Sequence, residues 1–272
     1  MGVHGGPDVV TDGLVFCLDV VDKNCYPGSG TSATDLAQGI PLTLSQASVG
    51  TASGSFDSFY FRGTNSATAD GVAFSTDPFT NTGGPIRTGA ATIGVFLASD
   101  APSIAHNRHI IKFGKGSPEQ SITFNQWSGN SGCSLGIGSN VGTYAYPVVV
   151  SPENYPWSRF RYMVGMRRDN GDMTTYYDDS SGNMVEIGTS SLNKDSEAAG
   201  YGANTCDITE EFDAFSLGYS GANSASGGER YHGHLQVIHV YRKELSVLEM
   251  QQNFDHIMKS RVIKYPSPTY GA

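Results

Sequence analysis

The sequence predicts an all-β protein, an antiparallel β-sandwich with one short C-terminal α-helix. Three observations lead there. Glycine is abundant, 34 of 272 residues, while only 16% of residues are charged; that balance suits short strands joined by tight turns better than helices. Short runs of alternating or wholly apolar residues recur along the chain, separated by Gly, Asn, Ser and Pro, as in sandwiches. Only one stretch, near the C-terminus, changes from the period of a strand to that of a helix.

Taken in order, residues 1–11 read as a flexible N-terminal arm, with Gly2, Gly5, Gly6 and Pro7. Gly13 to Val21 (GLVFCLDVV) is the first buried strand, with Asp19 its one anomaly. Asn24 to Gln38 is a turn-rich loop. Phe56 to Arg62 alternates aromatic with polar residues and reads as a strand; Gly63 to Gly89, rich in Thr, Asn, Gly and Pro, reads as surface. Thr92 to Ala98 is a central strand, and His109 to Phe113 and Gln120 to Phe124 are strands around a Gly-Lys-Gly turn. Ser134 to Ile137, Tyr144 to Val150 and Trp157 to Arg167 follow as strands. Asp169-Asn-Gly-Asp172 is a hairpin turn, Asn-Gly supplying the positive φ values. Thr174 to Asp178 and Asn183 to Ile187 come next, joined by a turn at Ser180-Ser-Gly182. Ala214 to Tyr219 is a strand that leads into a Gly/Ser/Asn loop.

The segment Tyr231 to Lys259 closes the fold. Leu235 to Tyr241 is apolar on nearly both faces, as in a strand buried between two layers. Ser246-Val-Leu-Glu249 fits a capping box, with Leu245 and Met250 at the staple positions. Met250, Phe254 and Ile257 then make one narrow apolar stripe. The sandwich domain spans 12–262, and 263–272, with Pro266 and Pro268, is an extended tail.

Bulk properties exclude several classes. With 17 basic and 26 acidic residues the chain carries −9, which repels phosphate backbones and disfavours nucleic acid as a partner. No run approaches the roughly 20 apolar residues of a membrane span, so no membrane insertion is expected. The opening MGVHGGPDVV has no basic or apolar signal region. Cys17, Cys25, Cys133 and Cys206 form no CxxC. Free, buried thiols are the expectation, with a Cys17–Cys25 bridge as the alternative.

Three stretches together resemble the laminin-G-like, concanavalin A-like jelly roll of lectins, glucanases and phage surface proteins. The first is Asp12 to Leu36, whose strand, Asp and Tyr-Pro-Gly-Ser-Gly-Thr loop end in Thr-Asp-Leu. The second is the succession Ala91 to Ala98, then Trp157 to Tyr177. The third, Tyr231 to Ser246, is similar to the family's closing pattern of an Asn-Gly strand, Ile-Tyr-Asn-Arg and Leu-Ser, with the helix after it. Where the family often has an Asp in that strand, and holds Ca²⁺ near it, this chain has Gln236.

The candidate sites follow. Asp19, Asp22 and Asp35 lie in or near the first loop and are the metal candidates: Ca²⁺ takes several oxygens, from carboxylates and carbonyls. Against this, Asp19 caps a turn and Asp22 is solvated; otherwise no cofactor is expected. Tyr144, Tyr146, Tyr155 and Trp157 surround a Pro-rich loop (YPVVVSPENYPW) and are the ligand-binding candidates, because sugars stack their apolar faces on aromatic rings; core packing is the alternative, and the better one for Trp157. Glu211-Phe-Asp213-Ala-Phe-Ser216 resembles the E-x-D-x-x-E strand of jelly-roll glycosidases, but Ser216 stands where the second carboxylate belongs. His106, His109, His232, His234, His239 and His256 include a spacing-two pair, His232 and His234; surface or subunit-contact roles are the simpler reading.

No catalytic set remains. The resemblance implies a non-enzymatic structural protein of a phage virion, displaying a lectin-like sandwich on the capsid, as decoration, or on a tail or fibre. It would be made in the host cytoplasm and form homo-oligomers among other virion proteins. The alternative is a carbohydrate-binding module for host-glycan adsorption and attachment; a glycoside hydrolase is disfavoured.

Overall fold

A ten-residue strand, His232–Tyr241, lies at the centre of the larger sheet. The computed structural model describes residues 8–43, 50–51, 58–62, 72–74, 90–99, 108–116, 119–126, 133–138, 144–145, 148–149, 160–170, 172–179, 181–190, 214–217 and 231–262. In chain order these form β1 (Leu14–Asp19), β2 (Ser32–Thr34), β3 (Pro41–Thr43), β4 (Gly50–Thr51), β5 (Phe59–Arg62), β6 (Val72–Phe74), β7 (Ala91–Ser99), β8 (Arg108–Gly116) and β9 (Glu119–Gln126). There follow β10 (Cys133–Gly138), β11 (Tyr144–Ala145), β12 (Val148–Val149), β13 (Arg161–Arg167), β14 (Met173–Asp178), β15 (Met184–Ser190), β16 (Ala214–Leu217), β17 (His232–Tyr241) and α1 (Val247–Val262).

Every pairing among these strands is antiparallel. The first sheet runs β15-β14-β13-β7-β17-β5-β4, with β1 also on β17; the second runs β11-β10-β9-β8-β16-β6, with β12 on β10. One edge of β17 pairs with β7 along its length; the other is shared end to end by β5 and β1. Gln236 sits at that junction. It is the bulged residue against β7, is buried, and its carbonyl accepts the Val20 N–H at 2.9 Å.

Alternation distributes the core. On β7, Ile93, Val95 and Leu97 face the second sheet, where Ile110, Ile111, Phe124 and Leu217 meet them. Phe96, with Tyr162, Val164 and Met166 of β13 and Val237 and Tyr241 of β17, faces the other way and packs under α1. The described residues therefore form three layers: sheet, sheet and helix. This is why β17 is apolar on both faces.

The helix begins as its sequence requires. The Ser246 N–H donates to Glu249 Oε2 at 2.8 Å, and the Glu249 N–H donates back to Ser246 Oγ at 3.3 Å. Leu245 and Met250 are both buried beneath this cap. Met250, Phe254 and Ile257 fill the layer under the helix, each contributing about 2 kcal/mol of apolar burial. Polar groups join that layer where they are satisfied. Asn253 donates to Tyr241 Oη at 2.9 Å, Tyr241 donates to the Val10 carbonyl at 3.0 Å, and the Val10 N–H returns to Asn253 Oδ1 at 2.9 Å. The described end of the arm is thus held to the helix, and Gln252 also donates to the Asp8 carbonyl at 2.6 Å.

Several elements differ from the sequence reading. The turn-rich loop contains β2, paired with β3. The surface stretch contributes β6, an edge of the second sheet. Gly114-Lys115-Gly116 lies inside β8 rather than in a turn, because the pairing runs on to Gly116 opposite Glu119. Of Tyr144 to Val150 the described residues are β11 and β12, which pair with β10 in one unbroken register, as the expected single strand would. The turn around Gly182 is as read, with φ of +82° at that residue.

Candidate functional site

The first-loop carboxylates are committed to the backbone. Asp35 has no exposure; its Oδ1 accepts the N–H groups of Cys17 at 2.8 Å and Ala37 at 3.0 Å, and its Oδ2 that of Gln38 at 3.2 Å. Burial raises its carboxyl above the usual range, and these N–H groups pull it back only in part. Asp19 accepts the Val21 N–H at 3.0 Å, and Asp22 that of Asn24 at 2.8 Å, each a local turn bond. Asp35 therefore tethers the loop to β1, while Asp19 and Asp22 each bond their own turn. Among the described residues no three His, Cys, Asp or Glu side chains gather to hold a metal ion. The three carboxylates as placed do not fit a shared Ca²⁺.

Of the aromatic candidates, Tyr144 is placed by its backbone alone, in β11 opposite Gly138 of β10. Tyr146, Tyr155 and Trp157 lie outside the described residues, as do Glu211, Asp213 and His106. Ser216 sits in β16, opposite Ala73 and Lys112. His232 and His109 are placed in β17 and β8 by backbone only. His234 shares a hydrogen bond with Ser58 at 3.0 Å, and the buried His239 shares one with Tyr162 Oη at 3.2 Å.

Cys17 and Cys25 are both free and buried. Cys17 stands opposite His239 in the β1–β17 register, on the helix side. Cys25 packs in the core between the sheets, where its Sγ accepts the Asp19 N–H at 3.3 Å. Burial pushes the Cys25 thiol up to about 12 and the Cys17 thiol well above its ordinary value. The free-thiol reading therefore stands over the bridge.

A polar constellation on the first sheet escaped the sequence reading. Arg168, just past β13, donates from Nε to Thr174 Oγ1 at 3.1 Å, from Nη2 to Tyr176 Oη at 3.1 Å and from Nη1 to Glu244 Oε2 at 3.4 Å. Tyr176 donates to Glu186 Oε2 at 3.3 Å, Thr189 donates to Glu186 Oε1 at 2.9 Å, and Thr189 and Thr174 share a bond of 2.8 Å. The ring Arg168–Tyr176–Glu186–Thr189–Thr174 is closed. Its geometry comes from the sheet. Thr174 faces Thr189 and Tyr176 faces Glu186 across β14 and β15. A bulge leaves Ile187 without an opposite, which brings Glu186 and Thr189, three apart in sequence, to the same face. Burial, then the Glu186 carboxylate, raises the Tyr176 phenol. Arg168 and Glu244 remain about one-third exposed, at 32% and 34%, and Glu186 and Thr189 face solvent.

A second polar pair is buried. Arg161 donates to Asp178 Oδ2 at 2.8 Å and to the carbonyls of Asp178 and Asp179, while the Tyr162 N–H donates to Asp178 Oδ1 at 2.6 Å. Burial pushes Asp178 up to about 6, against the pull of Arg161. With every oxygen engaged inside the protein, this pair ties β13 to β14 and faces no ligand.

No family model and no curated protein matches the sequence. Solved structures do match in fold. The binding domain of Paraclostridial Mosquitocidal Protein 1 shares 12% identity at a TM-score of 0.59, over 90% of this chain and 52% of that one. A botulinum neurotoxin type C structure, described by its interaction with two ganglioside molecules, shares 10% at 0.62, over 93% and 52%. Trypanosoma rangeli sialidase in complex with sialic acid shares 12% at 0.54, over 90% and 33%. The chain thus spans about half the length of the toxin binding domains it matches. Identities this low establish the β-sandwich and nothing further.

Proposed function

We propose that the chain is a non-enzymatic carbohydrate-binding module. The observation that carries this reading is the two-sheet lectin-like sandwich, which nearly the whole chain shares with botulinum neurotoxin structures, one described by its interaction with two ganglioside molecules and another a binding domain in complex with SialylT. The botulinum and mosquitocidal structures are of binding domains rather than catalytic ones, in keeping with a surface that presents rather than reacts. A glycan array with the purified chain tests the reading: selective retention of a glycan class supports it, and an array with no signal overturns it. Release of reducing sugar from β-glucans, lost on Glu211→Ala, would replace it with hydrolysis.

The setting in which such a module works belongs to the same proposal. A phage virion, with the sandwich on the capsid or tail and neighbouring virion proteins as partners, is favoured by the resemblance of Asp12 to Leu36 and Tyr231 to Ser246 to phage surface domains. Mass spectrometry of purified particles checks it, and absence of the chain from them would remove that setting while leaving the glycan reading in place.

A further inference from the structure

We infer that the ring of Arg168, Thr174, Tyr176, Glu186 and Thr189, with Glu244 beside it, is a subsite for a neutral saccharide held through adjacent hydroxyl groups. This inference rests on the carbohydrate-binding reading and gives it a place and a ligand class.

Four features support it. First, the ring is ordered before any ligand arrives. Each side chain is fixed by two neighbours, so little rotamer freedom remains to be lost on binding. Second, folding alone gives little reason for it. The one ion pair at the ring, Arg168 with Glu244, is about one-third exposed and adds little to stability, yet a bulge in β15 puts Glu186 and Thr189 on one face; bulges that re-aim side chains occur beside binding sites. Third, hydrogen-bonding capacity is left over. Each Glu186 oxygen takes one bond inside the ring, and a carboxylate offers about four lone-pair sites. Arg168 uses three donors, to Thr174, Tyr176 and Glu244, out of about five on a guanidinium. A carboxylate accepting from two neighbouring sugar hydroxyls, beside a guanidinium donating to a third oxygen, matches a vicinal diol. Fourth, the charge is wrong for an acidic sugar. One Arg lies between two Glu carboxylates, on a chain of net −9, so a sialic or uronic carboxylate is repelled. Tyr176 is 4% exposed, so the ring recognises by hydrogen bonds rather than by stacking.

The experiment is a titration of the ¹⁵N-labelled chain, followed by amide shifts, with lactose, cellotriose, maltotriose and sialyllactose. Glu186→Gln and Thr189→Val are compared with Tyr155→Ala and Trp157→Ala, and melting curves confirm the fold of each. The expected result is binding of at least one neutral sugar, weakened about tenfold or more by either ring variant, as for loss of a charge-assisted hydrogen bond, and unaltered in the two aromatic variants. Lactose should outbind sialyllactose. Loss of binding in the Tyr155 or Trp157 variants but not in the ring variants would overturn the subsite and leave the module reading intact. Preference for sialyllactose would overturn the ligand class. Failure to bind any of the four sugars, with an empty glycan array, would overturn the module reading itself.

Discussion

The layer beneath α1 makes its sharpest prediction at Gly94. This residue lies in the middle of β7, and the ring of Tyr162 from β13 crosses directly over it. A Cβ placed on Gly94 would fall far inside contact distance of Tyr162 Oη and 2.8 Å from its Cζ. Tyr162 has no room to retreat: its ring is fully buried, stacks against Phe254 with centroids 6.4 Å apart, and shares a hydrogen bond with His239. Gly94→Ala must therefore push the ring aside. Overpacking of this kind costs about 1–3 kcal/mol, and a displaced buried hydrogen bond adds about 1–3 kcal/mol. Against these stands a gain of about 0.4–1 kcal/mol, because alanine restricts the unfolded chain more than glycine does. The net expectation is a loss of about 3 kcal/mol, read from urea unfolding followed by fluorescence. Tyr162→Phe should relieve the clash in part, since the ring carbon stays tight after the hydroxyl has gone. The double variant should then be less destabilised than the sum of the singles, with a coupling of about 1 kcal/mol or more. A Gly94→Ala protein within about 0.5 kcal/mol of the parent, or strictly additive singles, would refute the crossing of Tyr162 over Gly94.

Three further outcomes are expected. Asp178 is pushed up from the ordinary 3.8 to about 6 by burial, so between those values the folded state binds the proton that the unfolded state has released. Its contribution is present in full below about pH 4 and is lost as pH rises through 6, about 3 kcal/mol in all; urea unfolding from pH 4 to 7.5 should show a fall that Asp178→Asn flattens, whereas equal slopes would contradict it. Ser246→Ala removes the hydroxyl that accepts the Glu249 N–H and should cost about 1 kcal/mol of stability by the same assay; no change would mean that the box contributes nothing to α1. In a Cys133→Ser/Cys206→Ser background the thiols of Cys17 and Cys25, buried and raised, should react with an aromatic disulfide reagent at pH 8 only as fast as the protein opens; rapid labelling without denaturant would place either thiol at the surface.

What the sequence disclosed, and what it withheld, follow from how each feature is built. The closing strand and helix are local: alternation in Leu235 to Tyr241 and a box of four residues at Ser246 carry their own signal, and both are found where the pattern puts them. The hairpin of β2 and β3 carries no such signal. Its residues are Ser32, Ala33, Thr34, Pro41, Leu42 and Thr43, poor in the large β-formers, and Asp35 rather than strand propensity holds it, by tethering the chain that follows β2 to β1. Gln236 stands out in the sequence only as a departure from the resembled closing pattern, and nothing there marks it as a bulge. Its meaning, the point where β5 gives way to β1 along one edge of β17, is a matter of pairing between distant segments.

The polar ring lies furthest beyond the reach of sequence. Together with the neighbouring Glu244 its members span Arg168 to Glu244, and no two of Arg168, Thr174, Glu186 and Glu244 are close enough in sequence to read as a motif. One trace does exist. Thr174 and Tyr176 alternate onto one face of β14, and a hairpin turn at Gly182 brings β15 back against them, so a polar residue at Glu186 is predictable from register. Register counted from that turn without a bulge, however, would place Thr189 on the opposite face from Glu186. The extra residue Ile187 reverses this, and with it decides whether the ring closes. A single unpaired backbone residue thus determines the chemistry of the surface. Deleting Ile187 should therefore leave the ring closed, because Glu186 and Thr189 then stand two residues apart and plain alternation keeps them on one face; inserting one residue between Gly188 and Thr189 should turn them to opposite faces and open it.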